Sequence, residues 1–281
     1  MRLSLCTITF RHHLISLDEI ARWAAQAQFD GIELWAAHAR NMQHLTKRDA
    51  AWMAGFGLSV PMLSDYLPLD RDAAALRYAA GDVCRLARRW GARKVRTFAG
   101  MVASDAVSEE QRALISKRLR EACDIAGDRG CRLLVETHPG TLADTLASTL
   151  RLIDDVDHPA LGVNFDTLHV WEGGDDPVSA LRALKPYVCH FHLKNIRARS
   201  DLGVFAPANV YAAAGSRAGM TPLFEGAFDY LSFLENLTAD DAADLSLEWF
   251  GDHCFTVLSQ DARNIRAIWQ DQAAPIRASA G

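Results

Sequence analysis

Arg132-Leu-Leu-Val-Glu-Thr-His-Pro139 is an apolar run of β type that ends on an acid and carries an imidazole two residues further on. A strand buried on both faces reads as a continuous apolar stretch, so Glu136 would stand where the strand gives way to its loop. Three further segments repeat the arrangement: Val163-Asn-Phe-Asp166, His190-Phe-His192 and Leu245-Ser-Leu-Glu248. A barrel of parallel strands gathers its strand ends at one mouth, so ligands more than a hundred residues apart converge there. The pattern predicts one divalent cation held by Glu136, Asp166, His192 and Glu248.

Working outward, eight strand-like runs lie along the chain: Leu3 to Thr9, Gly31 to Trp35, Leu58 to Leu63, Lys94 to Phe98, Arg132 to Thr137, Leu161 to Asp166, Val188 to Lys194 and Asp244 to Trp249. Helical patterns fill the gaps. Ser16-Leu-Asp-Glu19 is a capping-box signature opening a helix that Asp30-Gly31 closes, and Ser108-Glu-Glu-Gln111 opens another that Gly130 ends. Arg71 to Trp90 carries apolar residues at helical spacing before Gly91. Alternating β and α elements give an open doubly wound sheet or a closed barrel. Eight strands, ligands at several strand ends, and the lack of a dinucleotide Gly-x-Gly-x-x-Gly or a P-loop favour an α/β fold of the (β/α)8 TIM-barrel type. One connection is long: Asn195 to Tyr230, between the seventh and eighth strands, with little helical pattern until its end. Its Phe205, Val210, Tyr211, Met220, Leu223 and Phe224 are too apolar for a disordered tract, so an ordered lid over the mouth is expected.

Composition narrows the function. With 281 residues and 49% hydrophobic content, a single domain spanning residues 1 to 281 is expected. A net charge of -5 with scattered basic residues argues against a nucleic-acid surface. No run approaches the ~18 apolar residues of a membrane span and no leader is evident, so a cytoplasmic protein without a membrane partner is expected. Cys6, Cys84, Cys123, Cys131, Cys189 and Cys254 form no Cys-x-x-C pair, and reduced, buried thiols are the expectation.

Glu136 and His138 share one side of their strand exit, where an acid beside an imidazole can act as ligand plus proton carrier. A buried Glu-His ion pair would explain one such pair, but it is strained when Asp166, His169, His192 and Glu248 recur at equivalent places. His169 follows Asp166 by three residues and reads equally as a proton carrier or a satisfied core histidine. His190 shares a face with His192 and is expected to pack or to support it, and Glu33, ending the second strand, could be a partner of the site. Three carboxylates and one imidazole suit Mg²⁺ or Mn²⁺, with Co²⁺ as a further candidate. Arg96, Lys194, Tyr66, Tyr211 and Arg217 near the rim would suit an anionic, oxygenated small molecule, with surface charge the even alternative for Arg217.

The segments Ser4-Leu-Cys-Thr-Ile-Thr-Phe-Arg-His12, Gly31-Ile-Glu-Leu-Trp35, Ser64-Asp-Tyr-Leu67, Val95-Arg-Thr-Phe-Ala-Gly100, Glu136-Thr-His-Pro139, His190-Phe-His-Leu-Lys-Asn195, Asn209-Val-Tyr-Ala-Ala-Ala-Gly215 and Ser246-Leu-Glu-Trp-Phe-Gly251 resemble those of the bacterial 3-dehydroshikimate dehydratases, a group of xylose-isomerase-like barrels. The likeness spans nearly the whole chain. It implies a hydro-lyase of aromatic-compound metabolism that removes water from 3-dehydroshikimate to give protocatechuate. It implies Glu136, Asp166, His192 and Glu248 as metal ligands, and His138 and His169 as the acid/base pair. It further implies Tyr66, Arg96, Lys194, Phe205 and Tyr211 as substrate-pocket residues. His138 is read as the base and His169 as the acid, an assignment that could be exchanged. A homodimer is compatible with an exposed lid carrying Phe and Tyr. The alternative is a metal-dependent sugar or keto-sugar isomerase or epimerase on the same barrel. An apurinic-site endonuclease would want more histidine ligands and a basic face, and a non-catalytic binding barrel leaves the acid/base histidines unexplained.

Overall fold

A computed structural model describes residues 1–237 and 243–278. Eight parallel strands close into a barrel: β1 (Leu3–Cys6), β2 (Gly31–Trp35), β3 (Leu63–Ser64), β4 (Lys94–Thr97), β5 (Arg132–Glu136), β6 (Leu161–Asp166), β7 (Val188–Leu193) and β10 (Asp244–Leu247). β10 pairs with β1 and completes the circle. The remaining two strands, β8 (Asn195–Ile196) and β9 (Met220–Thr221), form a small antiparallel ribbon in the long connection.

β2 and β6 have the bounds expected from the sequence, β1, β4, β5, β7 and β10 stop one or more residues short, and β3 starts late and ends one residue further on. The largest difference is β3. Leu58 to Leu63 contains Pro61, which has no N–H to give to a ladder, and continuous pairing starts only at Leu63, after a single bridge between Gly31 and Ser59. Gly31 is required there, since a Cβ on it would lie 2.6 Å from the Ser59 carbonyl oxygen. At the end of β1 the chain tightens into a 3-10 turn, Thr7–Phe10, instead of extending.

The expected capping boxes form. Ser16 Oγ accepts from the Glu19 N–H while Glu19 Oε2 accepts from the Ser16 N–H at 3.0 Å, opening the helix Leu17–Gln26. That helix ends before Asp30-Gly31, because Gln28 takes a left-handed conformation (φ 63) and turns the chain toward β2. Ser108 and Gln111 open Glu109–Gly127 in the same way, and the turn at Gly130 (φ 66) follows its end. The helix Ala73–Arg89 buries Leu76, Ala80, Val83 and Leu86 against the barrel.

The strand pleat divides the chemistry. Leu5, Ile32, Val95, Leu133, Val135, Phe165, Phe191 and Leu245 are buried in the core between barrel and helices, where each large side chain stabilises the fold by roughly 1.5–3 kcal/mol. The alternate positions carry Glu33, Lys94, Arg96, Glu136, Asp166, His190, His192 and Ser246, so the interior of this barrel is polar.

The long connection is more structured than its pattern suggests, with a 3-10 helix at Arg199–Phe205 and a short helix Pro207–Tyr211 that a proline opens. Asn195 Nδ2 ties it down by donating to the carbonyls of Leu223 (2.7 Å) and Phe228 (2.8 Å). Phe205, Val210 and Leu223 are buried, whereas Tyr211 is 41% exposed, so most of the apolar surface faces inward. The six cysteines are free thiols, and no described helix is long and apolar enough to cross a membrane.

Candidate metal and substrate site at the barrel mouth

Glu136 ends β5, Asp166 ends β6, His192 lies in β7 and Glu248 follows β10, so four neighbouring strand ends deliver the four expected ligands. Thr137 locks two of these ends together: its hydroxyl accepts from the Asp166 N–H at 2.8 Å and donates to the Asp166 carbonyl at 3.2 Å. His192 Nδ1 lies 3.4 Å from Glu136 Oε1, 3.5 Å from Glu248 Oε1 and 4.0 Å from Asp166 Oδ2. All four side chains are buried. His192 Nδ1 makes no aligned hydrogen bond despite its burial, so this is the ring nitrogen left to face a ligand.

Charge tells the same story. Glu33, Glu136, Asp166 and Glu248 bring four buried carboxylates around His192, and Arg96 and Lys194 bring two cations. Carboxylates outnumber these cations, an excess of negative charge that a divalent cation would offset in a region where unbalanced charge is costly. Hard oxygen donors with one imidazole fit such an ion. Among the described residues Glu136, Asp166 and His192 form one group able to hold a metal, and Glu33, His190 and His192 another. In the second group the Nε2 atoms of His190 and His192 lie 3.1 and 3.0 Å from Glu33 Oε2, the spacing of direct hydrogen bonds, so these three residues already satisfy one another.

The two expected anion clamps are both buried and both engaged. Arg96 Nε lies 2.7 Å from Glu136 Oε2, and its guanidinium sits 5.0 Å from the Tyr66 ring centre and 5.2 Å from that of Phe98. The Lys194 ammonium bridges Asp166 and Glu248, the latter at 2.7 Å. Burial alone would raise the Glu136 carboxyl, but Arg96 and His192 outweigh it and hold it well below the carboxylate range. Burial works against the charge of Lys194 too, yet Asp166 and Glu248 outweigh it and its ammonium is held above the ordinary range.

His138 and His169 face each other with ring centres 4.5 Å apart, and His138 packs at 4.2 Å on Phe98. His138 Nδ1 lies 2.7 Å from the Pro139 carbonyl, an acceptor only, so Nδ1 carries the proton and Nε2 keeps its lone pair. Burial, with His169 beside it, pushes the His138 imidazole down to about 3. The expected turn after β6 is a short helix, Thr167–Glu172, capped by Asp166 Oδ1 on the His169 N–H at 3.1 Å. On it His169 Nδ1 meets Glu172 Oε2 at 2.7 Å.

Tyr66, Arg96, Lys194, Phe205 and Tyr211 line one cavity with Glu136, His138, His169 and Glu248, and Asp166 and His192 are not part of its lining. The cavity is small, ≈ 30 Å³. Val210, one of the apolar residues of the expected lid, closes its apolar side together with Ile8 and Phe250, which had not been singled out. Glu172 was also missed, although its spacing of three from His169 was a usable signal once a helix begins at Asp166. Arg217 does not join the site: it donates to backbone carbonyls of Asn209, Val210, Ala212 and Ser216 and braces the connection.

Residues 21–278 match the family model described as xylose isomerase-like TIM barrel. A relative named 3-dehydroshikimate dehydratase, from Bacillus anthracis, is 41% identical over 269 residues, covering 94% of this chain and 96% of the relative. A crystal structure of the probable 3-DHS dehydratase AsbF of Bacillus anthracis, described as involved in petrobactin synthesis, superposes with a TM-score of 0.90 at 41% identity over 94% of this chain and 98% of that one. A zinc-bound IolI protein (TM-score 0.74, 15% identity, 96% and 97% covered) shares the fold.

Proposed function

The chain belongs to the xylose isomerase-like TIM barrel family, and we propose that it is a 3-dehydroshikimate dehydratase, a hydro-lyase that uses the mouth of the barrel. The observation that carries the reading is the pair of facing imidazoles, 4.5 Å apart, over a buried carboxylate and imidazole ligand set, in a chain 41% identical to a relative of that name.

3-Dehydroshikimate is a cyclic carboxylate with a ketone at C3 and hydroxyls at C4 and C5. Loss of a proton from C4 and hydroxide from C5 releases water and lets the ring aromatise to protocatechuate. A divalent cation held by Glu136, Asp166, His192 and Glu248 would supply Lewis-acid polarisation of the ketone and so acidify the C4 proton. His138 is the base, its free Nε2 held toward the cavity by the bond from Nδ1 to Pro139. A base whose conjugate acid titrates near 3 is neutral at working pH but weak, so substrate acidity has to drive the transfer. His169 is the acid that protonates the departing C5 hydroxyl, with Glu172 fixing which nitrogen it presents. Arg96 is the better carboxylate clamp of the two cations, because Lys194 is already shared between two ligand carboxylates. Phe205 and Tyr66 supply apolar walls, and Tyr211 closes the rim.

The cavity of ≈ 30 Å³ shares Tyr66 and Phe98 with a larger one of ≈ 480 Å³, through which a ring can approach the mouth. Mg²⁺ or Mn²⁺, with Co²⁺ as a further candidate, is the proposed ion, in keeping with the oxygen-rich set. A single catalytic domain, a cytoplasmic location and a homodimer complete the reading. Chelator-stripped protein mixed with 3-dehydroshikimate should form ultraviolet-absorbing protocatechuate only after Mg²⁺ or Mn²⁺ is added. No product with any divalent ion would overturn the assignment.

A further inference from the structure

Below the mouth the barrel interior holds a second polar layer that the reaction does not use. At its floor Arg2 pairs with Asp244 (2.9 Å), and Lys94 Nζ donates to Asp244 Oδ2 (2.6 Å) and to the Cys189 carbonyl (3.1 Å). The same ammonium lies 3.4 Å from His190 Nδ1. An ammonium can only donate, so His190 Nδ1 must be the lone-pair nitrogen and its ring proton must sit on Nε2. That Nε2 lies 3.1 Å from Glu33 Oε2 and 2.8 Å from Ser246 Oγ.

Glu33 is fully buried and takes the next step. Its carboxylate accepts from His190, from the Ser64 hydroxyl and from His192 Nε2, the last at 3.0 Å. A carboxylate with these partners has only acceptors to offer, so the Nε2 of His192 is a donor. In a metal-bound ring with one proton, the lone pair then falls on Nδ1, the atom that faces Glu136, Glu248 and Asp166.

We propose that Lys94, His190 and Glu33 form a hydrogen-bonded column that fixes the tautomer and orientation of His192, so that Nδ1 is the nitrogen given to the metal. The inference rests on the metal reading of the four residues above it. Glu33 is the positioning residue, and Lys94, at the closed end of the barrel and out of reach of substrate, sets the tautomer of its other imidazole partner. Outer partners of this kind typically change metal affinity by about 10–100-fold when removed.

The test needs no substrate. Mn²⁺ binding to stripped protein is measured by calorimetry for the wild type, Glu33→Gln and Lys94→Met, and nitrogen-detected NMR of the Zn²⁺-loaded wild type locates the His192 ring proton. The expected results are a Kd about 10–100-fold higher for Glu33→Gln, a smaller rise for Lys94→Met, and a proton on Nε2. A Glu33→Gln Kd within twofold of wild type, or a His192 proton on Nδ1, overturns the column. Should Glu33→Gln fail to fold, the wild-type spectrum and Lys94→Met decide the matter. A wild type that binds no divalent ion overturns the metal reading itself, which separates the two failures. Tight Mn²⁺ binding by a protein inactive on 3-dehydroshikimate would leave the column standing and remove the dehydratase reading.

Discussion

The two polar layers inside this barrel are built from the same residue types and behave in opposite ways. In the lower layer Ser64, Lys94, His190 and His192 all donate into Glu33, Asp244 or Ser246, with 2.6 Å between Lys94 and Asp244. In the upper layer carboxylates outnumber cations, His192 Nδ1 has no aligned partner, and His138 keeps an unused lone pair. Dense pairing around Glu33 makes the floor a firm base, although the buried Asn164 amide beside His190 has no partner among the described residues, and sparser pairing leaves the mouth with groups that can still bind or transfer something. The usual interior of such a barrel is layered Val, Ile and Leu. Here the apolar layers lie outside the strands, and the interior is lined by charged and polar side chains.

The contrast is broken most severely at the mouth. Replacing His138 by Ala removes the proposed base without touching a metal ligand, so kcat should fall by about 10²–10⁴ while bound Mn²⁺ per chain stays at the wild-type value. Turnover within a few-fold of wild type would transfer the base role elsewhere.

A second probe exploits the excess negative charge. Burial would lower the His192 imidazole, but Glu33, Glu248 and Glu136 outweigh it and raise it well above its ordinary value. Protonation of His192 is therefore favoured in the metal-free protein. Its stabilising contribution is fully present below the unfolded pKa near 6.5 and is lost as pH rises through the raised folded value. Metal must displace the Nδ1 proton, so Mn²⁺ affinity should increase by about tenfold per pH unit across the neutral range, with one proton released per ion. Calorimetry in buffers of different ionisation enthalpy measures that proton directly, and a pH-independent Kd would contradict the geometry.

How much of this was legible beforehand follows from physics local to each residue. The strand ends at Glu136 and Asp166 were readable because a ligand after a doubly buried apolar run has one sensible place in a parallel barrel. The late start of β3 was obscured by Pro61, which reads as part of an extended run yet cannot pair. Arg96 and Lys194 were recognisable as buried cations, but their partners depend on where the β5, β6 and β10 ends meet. The column through His190 lay further out of reach, since it depends on which ring nitrogen meets which neighbour across strands 157 residues apart in sequence.

Glu172 sits between the two layers in kind: it is fully paired with His169, yet it serves the open site. Glu172→Gln keeps the shape but can donate as well as accept, so the His169 tautomer is no longer enforced. A loss of about tenfold in kcat with Mn²⁺ affinity unchanged is expected, and Glu172→Asp should recover part of it. Equal loss in both variants, accompanied by a lower Tm, would make the pair structural.

The smallest effect is expected at the floor. Ser246 Oγ lies 2.8 Å from His190 Nε2, but Glu33 Oε2 lies 3.1 Å from the same atom, so Ser246→Ala leaves that N–H with an acceptor. The change should lower stability by about 1 kcal/mol, the usual net value of one hydrogen bond, and move kcat and the Mn²⁺ Kd by less than about threefold. Thermal unfolding together with calorimetry would read both. A large rise in Kd would mean that the hydroxyl, rather than the Glu33 carboxylate, holds His190 in register, and the layer below the metal would then be a chain without redundancy.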